Sequence, residues 1–149
     1  MMWPLIRKIL FSIPPEPAHR LTLSSLKLLE TLHMLEPFAT KNFESPIQAM
    51  GLNFKNRLGL AAGFDKNGEA IAALFQLGFG FIEIGGITLR PQAGNPKPRL
   101  FRLNKQQALI NRLGLNNQGI DSLERRLSQL TCPGILGVNL AKNKATPIN

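Results

Sequence analysis

One short apolar run, followed by a polar loop and a helical pattern, limits the fold of this chain more than any other feature. Residues 58–62 are small or apolar and lead into Gly63, a pattern typical of a strand buried on both faces of a parallel sheet. A polar turn at residues 65–68 comes next, and a helical pattern that includes Ile71 and Leu74 follows. Parallel α/β proteins bind ligands at the carboxyl ends of their strands, so this loop is the first candidate for a binding site.

The same order of elements recurs along the chain. A second strand is predicted at residues 79–84 and a third at 135–140, with a helix between them that begins near Ile120. Hairpins are predicted within residues 46–54 and between residues 99–103 and 108–112. This alternation of strands and helices predicts the α/β fold class.

Two amphipathic helices are predicted before this repeat. Leucine and isoleucine recur at helical spacing in residues 1–13 and 18–35, and three prolines separate the two segments. Such a pair can pack on the body of the protein, or it can lie in a membrane interface with its apolar side in the lipid. Because burial stabilises each leucine by about 1.5–3 kcal/mol in either environment, hydrophobicity leaves both interpretations open. No apolar run reaches the ~18 residues of a membrane-spanning helix.

Charge and cysteine content limit the possible partners. The formal net charge is +9, but the lysines and arginines are scattered, tyrosine is absent, and no motif of a nucleic-acid module occurs. We therefore predict no nucleic-acid partner, and assign the charge to anionic small ligands or an anionic membrane surface. One cysteine and two histidines offer no zinc constellation, so no metal is predicted.

Several longer motifs resemble those of the class 2, quinone-dependent dihydroorotate dehydrogenases. They are Gly51-Leu52 and residues 15–20 (PEPAHR), 56–68 (NRLGLAAGFDKNG), 78–88 (GFGFIEIGGIT), 90–92, 94–95, 97–103 (KPRLFRL), 110–114 (INRLG), 116–117 and 137–143 (GVNLAKN). The likeness covers the whole chain, and motifs of this length in a consistent order are far more specific than a lone glycine pattern.

The resemblance implies a (β/α)8 barrel, the TIM barrel, that binds FMN and is preceded by two helices that sit on a membrane and form a tunnel for quinone. Residues 1–40 would be that helical extension, and residues 41–149 would be the first part of the barrel, with about three strands. Because such a barrel needs about 250 residues, we expect the chain to be the N-terminal portion of the enzyme and inactive alone. The family's catalytic base, a serine after the fourth strand, has no counterpart here, since no serine follows Ser128.

The resemblance also implies binding roles for individual residues. The flavin contacts would come from Ala62, Gly63, Phe64, Asp65, Lys66, Gly86 and Asn139. The substrate contacts would come from Lys66, Asn111, Arg112, Leu113, Gly114 and Leu115, with Asn111 bonding the amide edge of the ring. The quinone tunnel would contain His19 and Arg102. Gly86 departs from the family pattern of Thr or Ser, so a hydroxyl contact to the flavin would be lost while a backbone N–H contact would remain.

The implied reaction oxidises dihydroorotate to orotate in pyrimidine (UMP) biosynthesis. A base takes a proton from one ring carbon, the neighbouring carbon gives a hydride to FMN, and quinone reoxidises the flavin. Attachment through the helices would place the protein peripherally on the cytoplasmic face of a bacterial inner membrane. The alternatives are the soluble class of the same enzyme, which the helix pair disfavours, a non-catalytic membrane-binding fragment, and another flavin or phosphate barrel.

Overall fold

The computed structural model describes residues 3–38 and 44–147. The helices are α1 (Trp3–Ser12), α2 (Pro15–Thr31), α3 (Ile71–Gln76) and α4 (Ile120–Leu127), with a 3-10 turn at Glu36–Phe38. The strands are β1 (Ile47–Ala49), β2 (Leu52–Phe54), β3 (Gly59–Leu60), β4 (Phe81–Thr88), β5 (Leu100–Leu103), β6 (Ala108–Asn111) and β7 (Ile135–Ala141).

Strand β4 is the centre of a three-stranded parallel sheet with the order β3–β4–β7. The side chains of Ile82 and Ile84 in this strand are completely buried. Within the described residues, β3 and β7 each pair with β4 alone, and side chains beside or on them are more exposed, as Leu58 and Leu140 are. The predicted α/β class is confirmed, because parallel strands alternate with helices along the chain.

The lengths of β3 and β4 differ from the prediction. Strand β3 pairs over two residues instead of five, and Leu58 is 52% exposed, so the prediction of a strand buried on both faces is wrong there. This strand has one neighbour, which leaves its other edge without ladder partners in the described chain. Strand β4 continues past its predicted end at Ile84 to Thr88, because β7 pairs with it throughout, with a register shift between Gly85 and Ile87.

The hydrophobic core lies between the sheet and helices α2, α3 and α4. Its buried members are Leu35, Ala70, Ile71, Ala73, Leu74, Ile82, Ile84, Ile87 and Leu123. Helix α3 contributes residues three apart, Ile71 and Leu74, which lie on one face of a helix. The helical patterns read from the sequence therefore correspond to real buried faces.

Prolines separate the two N-terminal helices and also begin the second one. Pro14 precedes α2, and Pro15 and Pro17 lie in its first turn, where a missing N–H group costs no helical hydrogen bond. The helix consequently starts three residues before its predicted start at Ala18.

Helix α2 packs on the body of the protein with one side only. Three of its leucines pack against the core, namely Leu23, Leu26 and Leu29. Two others, Leu21 and Leu28, are 48% and 58% exposed, and Leu32, directly after the helix, is 54% exposed. Helix α1 exposes Leu5 and Ile9 by 64% and 54%. The packing interpretation is therefore correct for one side of α2, and an apolar surface remains on both helices. None of the described helices is long and apolar enough to cross a bilayer.

Both predicted hairpins are present, as β1–β2 and β5–β6. In the second hairpin, Leu100 lies opposite Asn111. This register brings the loop at residues 111–115 next to the segment that enters β5, which matters for the candidate site.

Candidate functional site

A cavity of about 850 Å³ lies between the N-terminal helices and the loop that follows β3. It brings together residues that the sequence assigned to three different ligands, namely Gly63, Phe64, Asp65, Lys66, Leu113, His19 and Arg102. The other predicted residues, Ala62, Gly86, Asn111, Arg112, Gly114, Leu115 and Asn139, are not part of its lining. The structure thus separates the predicted residues into a cavity group, a strand-end group and a loop group.

Asp65 has a structural task at the start of helix α3. Its side chain is almost completely buried, and its two carboxylate oxygens accept the N–H groups of Glu69 and Ala70 at 2.8 Å each. These two N–H groups belong to the turn directly before helix α3. Because the carboxylate is used in this way, a flavin contact from Asp65 would have to come from its backbone.

The ammonium group of Lys66 is half-buried and donates a hydrogen bond from Nζ to Oδ1 of Asn116 at 2.8 Å. Burial lowers the pKa of Lys66, the positive charge of Arg99 lowers it further, and the carboxylate of Glu16 raises it. An anionic ligand would compensate such a partly desolvated cation with charge-assisted hydrogen bonds. The role of Lys66 toward a carboxylated substrate stays a prediction.

His19 lies in the same cavity, with its imidazole edge-to-face against the ring of Phe64 and 5.1 Å between the ring centroids. Burial lowers the pKa of His19, and the nearby charge of Lys66 lowers it further. The backbone of Phe64 and the carboxylates of Asp65 and Glu16 act in the opposite direction. The lowered pKa favours the neutral imidazole, in which one nitrogen donates and the other accepts.

Arg102 holds the end of helix α1. Its guanidinium donates from Nη1 to the carbonyl of Ile13 at 2.6 Å and from Nη2 to that of Leu10 at 3.1 Å. It also lies over the ring of Phe11, 4.7 Å from the centroid. A cation at this position satisfies carbonyl groups at a helix end and interacts favourably with the helix dipole. A quinone that bonded Arg102 would therefore meet a guanidinium already fixed to α1.

The strand-end group lies where β4 and β7 finish. A Cβ atom at Gly86 would be 3.1 Å from Oδ1 of Asn139 and 3.3 Å from Cδ2 of Leu115, so these three residues are neighbours. Gly85 has φ of +109°, and a Cβ atom there would be 2.4 Å from the Asn139 carbonyl oxygen. Only glycine fits this close approach of β4 to β7. Asn139 also donates to the carboxylate of Glu83 at 3.2 Å.

Small residues end strand β3 beside this group. The N–H group of Gly63 donates to the carbonyl of Gly85 at 2.8 Å, which joins the end of β3 to β4. A Cβ atom on Gly63 would meet no atom within 4 Å, so open space lies beside the backbone. Ala62 precedes it and is half-buried. A flat ring can approach a backbone of this kind closely.

The loop group, residues 111–115, is held through its backbone by the segment before β5. The N–H group of Arg112 donates to the carbonyl of Arg99 at 2.8 Å. Gln92 donates from Nε2 to the carbonyls of Gly114 and Leu115 at 3.1 and 3.2 Å. The side chains of Asn111 and Arg112 are exposed, which leaves their polar groups accessible to a ligand.

Two asparagines after this loop received no role from the sequence. Asn116 is the partner of Lys66, and Asn117 is buried. Asn117 donates to Oγ1 of Thr88 at 3.0 Å and to the carbonyl of Leu115 at 2.7 Å, and its Oδ1 accepts the N–H group of Gly119. It therefore joins the end of β4 to the start of α4. In the sequence, the feature that could have indicated these hydrogen-bonding roles is the run of three amide side chains at residues 116–118.

Comparison with known families decides the affiliation of the chain. A family model described as dihydroorotate dehydrogenase matches residues 46–149. The chain belongs to this family. Curated relatives named dihydroorotate dehydrogenase (quinone) include one from Saccharophagus degradans, 56% identical over 146 residues, and one from Enterobacter sp., 51% identical over 148 residues.

These dihydroorotate dehydrogenase relatives are longer than the chain. The matches cover 98% and 99% of this chain but 43% and 44% of the two relatives. A solved structure of ligand-free dihydroorotate dehydrogenase from Eimeria tenella is 41% identical, with a TM-score of 0.77 over 90% of this chain and 39% of that one. A second structure, of the Eimeria tenella protein in complex with ferulenol, has a TM-score of 0.74. The fold is thus that of the first part of a dihydroorotate dehydrogenase barrel with two helices before it.

The environment of His19 in this dihydroorotate dehydrogenase chain gives a prediction for titration by NMR. We expect the pKa of His19 to lie below its usual value of 6.5, and the substitution Lys66→Met to raise it, because a neighbouring cation is removed. The unfolded chain then binds this proton more tightly than the folded chain. The stability that neutral His19 contributes is accordingly present above the unfolded pKa and is lost as the pH falls through the folded pKa.

The variant His19→Gln serves to assign the signal in this titration. A pKa at or above the usual value, or one that Lys66→Met leaves unchanged, would contradict the burial and the proximity of the two groups.

Proposed function

We propose that the chain is part of an enzyme that oxidises dihydroorotate to orotate with FMN as cofactor and a quinone as acceptor, in pyrimidine biosynthesis. One observation on this chain supports the proposal most directly. The half-buried ammonium of Lys66, held by Asn116, lies in one cavity with His19 and Arg102. The cation that would meet an anionic substrate and the polar residues that would meet a quinone thus line the same cavity, which supports the proposal.

The residues at the strand ends fit the edge of a flavin. Open space lies beside Gly63, and Gly86 is flanked by the amide of Asn139. Small residues permit a planar ring to approach, and an amide can bond its polar edge. Ala62, Gly63, Lys66, Gly86 and Asn139 would hold the isoalloxazine edge. When bound, FMN supplies the acceptor for the hydride that dihydroorotate gives up.

The task of this chain's own side chains is to bind and orient the substrate. Lys66 would bond its carboxylate, and Asn111 would bond the amide edge of its ring. The Arg99 carbonyl, which accepts the Arg112 N–H group, and the side-chain amide of Gln92, which donates to two loop carbonyls, hold the loop at 111–115 in place. These groups therefore need little reorganisation when the ring binds. Fixing the ring in one orientation is the contribution that such positioning makes to the rate.

The exposed apolar sides of α1 and α2 support peripheral binding to a membrane. Leu5 and Ile9 of α1 are 64% and 54% exposed, Leu28 of α2 is 58% exposed, and α1 also carries Arg7 and Lys8. Apolar side chains next to basic ones are typical of helices that lie in an anionic lipid interface. A lipophilic quinone would reach the cavity from that surface, which accords with attachment to the cytoplasmic face of a bacterial inner membrane.

Substitution of Lys66 tests the substrate site. Because the chain spans 43% of the first relative, the variants are made in an extended protein, in which the remaining segment of the Saccharophagus degradans relative follows this chain. Loss of one charge-assisted hydrogen bond in a buried site costs about 1.5–3 kcal/mol, so Lys66→Ala should weaken dihydroorotate binding or slow flavin reduction by roughly ten- to a hundredfold.

Rapid mixing with dihydroorotate, followed at the visible flavin band, measures both quantities. Lys105→Ala, which removes an exposed lysine from the β5–β6 turn, is the matched control and should leave both unchanged. An unchanged affinity and rate in Lys66→Ala would refute the role of Lys66.

Substitution of the exposed helix residues tests the membrane proposal. Deleting α2 would also uncover the core, because Leu26 and Leu29 pack against it, so exposed positions are changed instead. In Leu5→Ser/Ile9→Ser/Leu28→Ser we expect liposome flotation to fall by about tenfold or more, since each side chain contributes about 1.5–3 kcal/mol when fully buried.

The control for flotation is Met50→Asn, which changes an 89% exposed residue in the β1–β2 turn. Use of a short-chain quinone in solution should persist in the triple variant, while use of a long-tailed quinone in liposomes should decline. Equal flotation of the parent and the triple variant would rule out the helices as the membrane anchor.

A further inference from the structure

A partly buried ion pair connects the start of helix α2 to the segment that precedes β5. The guanidinium of Arg99 donates from Nη2 to Oε1 of Glu16 at 2.5 Å and from Nε to Oε2 at 3.1 Å. Arg99 is 6% exposed, and the Glu16 side chain is 18% exposed. Two parallel bonds from a planar guanidinium fix direction as well as distance. Both residues line the cavity that contains Lys66, but neither has a part in the binding roles described above.

The same guanidinium also binds the chain between β4 and β5. Its Nη1 donates to the carbonyls of Ala93 and Asn95 at 2.6 and 3.0 Å. Arg99 therefore joins Glu16 of α2 to two turns of backbone that no regular secondary structure supports. Because one side chain makes all of these contacts, the position of the Arg99 guanidinium determines where these partners are held.

Those backbone segments in turn hold the loop at residues 111–115. The Arg99 carbonyl accepts the N–H group of Arg112 at 2.8 Å. Asn95 donates from its backbone to the carbonyl of Leu113 at 3.0 Å and from Nδ2 to that of Arg112 at 2.8 Å. A Cβ atom at Gly94 would lie 2.2 Å from the Leu113 carbonyl oxygen, so the two segments are in tight contact. A displacement of Arg99 would reach the loop by two routes.

We propose that Glu16 and Arg99 are a positioning pair, which holds the loop at 111–115 in its substrate-binding geometry and thereby makes dihydroorotate affinity depend on the start of helix α2. This inference rests on the proposed function. Neither residue touches the substrate in this account. Through this pair, a displacement of helix α2, which carries His19, would also displace the loop at 111–115.

The substitution Glu16→Gln tests the pair with little change of shape. The matched control is Lys97→Gln, which removes the other cation near Glu16, one that is 61% exposed and 3.6 Å away. Both are made in the extended protein with its flavin. Two quantities are measured: the dihydroorotate concentration that gives half-maximal flavin reduction together with the limiting rate, and hydrogen exchange of backbone amides at residues 92–95 and 111–115.

For Glu16→Gln we expect the half-saturating concentration to rise by about tenfold with the limiting rate within about twofold, because affinity and not the chemical step depends on the loop position. Exchange should accelerate at both segments. Lys97→Gln should match the parent. Arg99→Lys, which keeps the charge but loses the paired donors of the guanidinium, should resemble Glu16→Gln. The double variant should raise the half-saturating concentration no further than either single variant does.

A parent protein without dihydroorotate activity would contradict the proposed function, and exchange would still decide whether the pair holds the loop. An active parent with unchanged affinity in Glu16→Gln would overturn the positioning role, even if exchange accelerated. If Arg99→Lys does not fold, Glu16→Gln and its control decide the outcome alone.

Discussion

The parallel pairing of β4 with β3 and β7 is the constraint on which the rest of this structure depends. Burial of Ile82 and Ile84 fixes β4 at the centre, and parallel pairing makes all three strands end at the same edge of the sheet. The loops that follow them must then share that edge. Gly63, Gly86 and Asn139 become neighbours because of this topology, although they span more than half of the sequence.

Two arginines attach the N-terminal helices to the β5–β6 hairpin and to the segment directly before it. Arg102 binds the carbonyls at the end of α1, and Arg99 binds the carboxylate at the start of α2. The proline-containing connection between the helices is thereby held from both sides. Because breaking one partner of a buried ion pair leaves an uncompensated charge, such attachments are sensitive to single substitutions. Both arginines also line the cavity that contains Lys66 and His19.

The sequence contained enough to predict the fold class, the hairpins and the family. Local patterns determine these, since strand, loop and helix each have a period that can be read directly. The length of β3 was wrong because an edge strand depends on its partners, which the sequence does not show. The task of Asp65 was also not visible. A carboxylate after a strand can meet a ligand or bond the backbone of the turn before the next helix, and only geometry distinguishes the two.

The connections that cross the chain were the least predictable. Lys66 and Asn116 are fifty positions apart, and Glu16 and Arg99 are eighty-three apart. Nothing in the spacing of either pair indicates contact, because the residues of each pair meet only when distant parts of the chain pack together. The family resemblance named ligand residues, but it did not reveal the bonds that hold them in place.

The central claim is that this chain contributes residues that bind dihydroorotate and one edge of the flavin in an enzyme that uses a quinone as acceptor. Its most direct test is anaerobic addition of dihydroorotate to the extended protein, purified with its flavin, while the visible flavin band is recorded. The account predicts that dihydroorotate bleaches the band, that orotate does not, and that a quinone restores the colour. A protein that holds no flavin, or whose flavin stays oxidised with dihydroorotate, would contradict it.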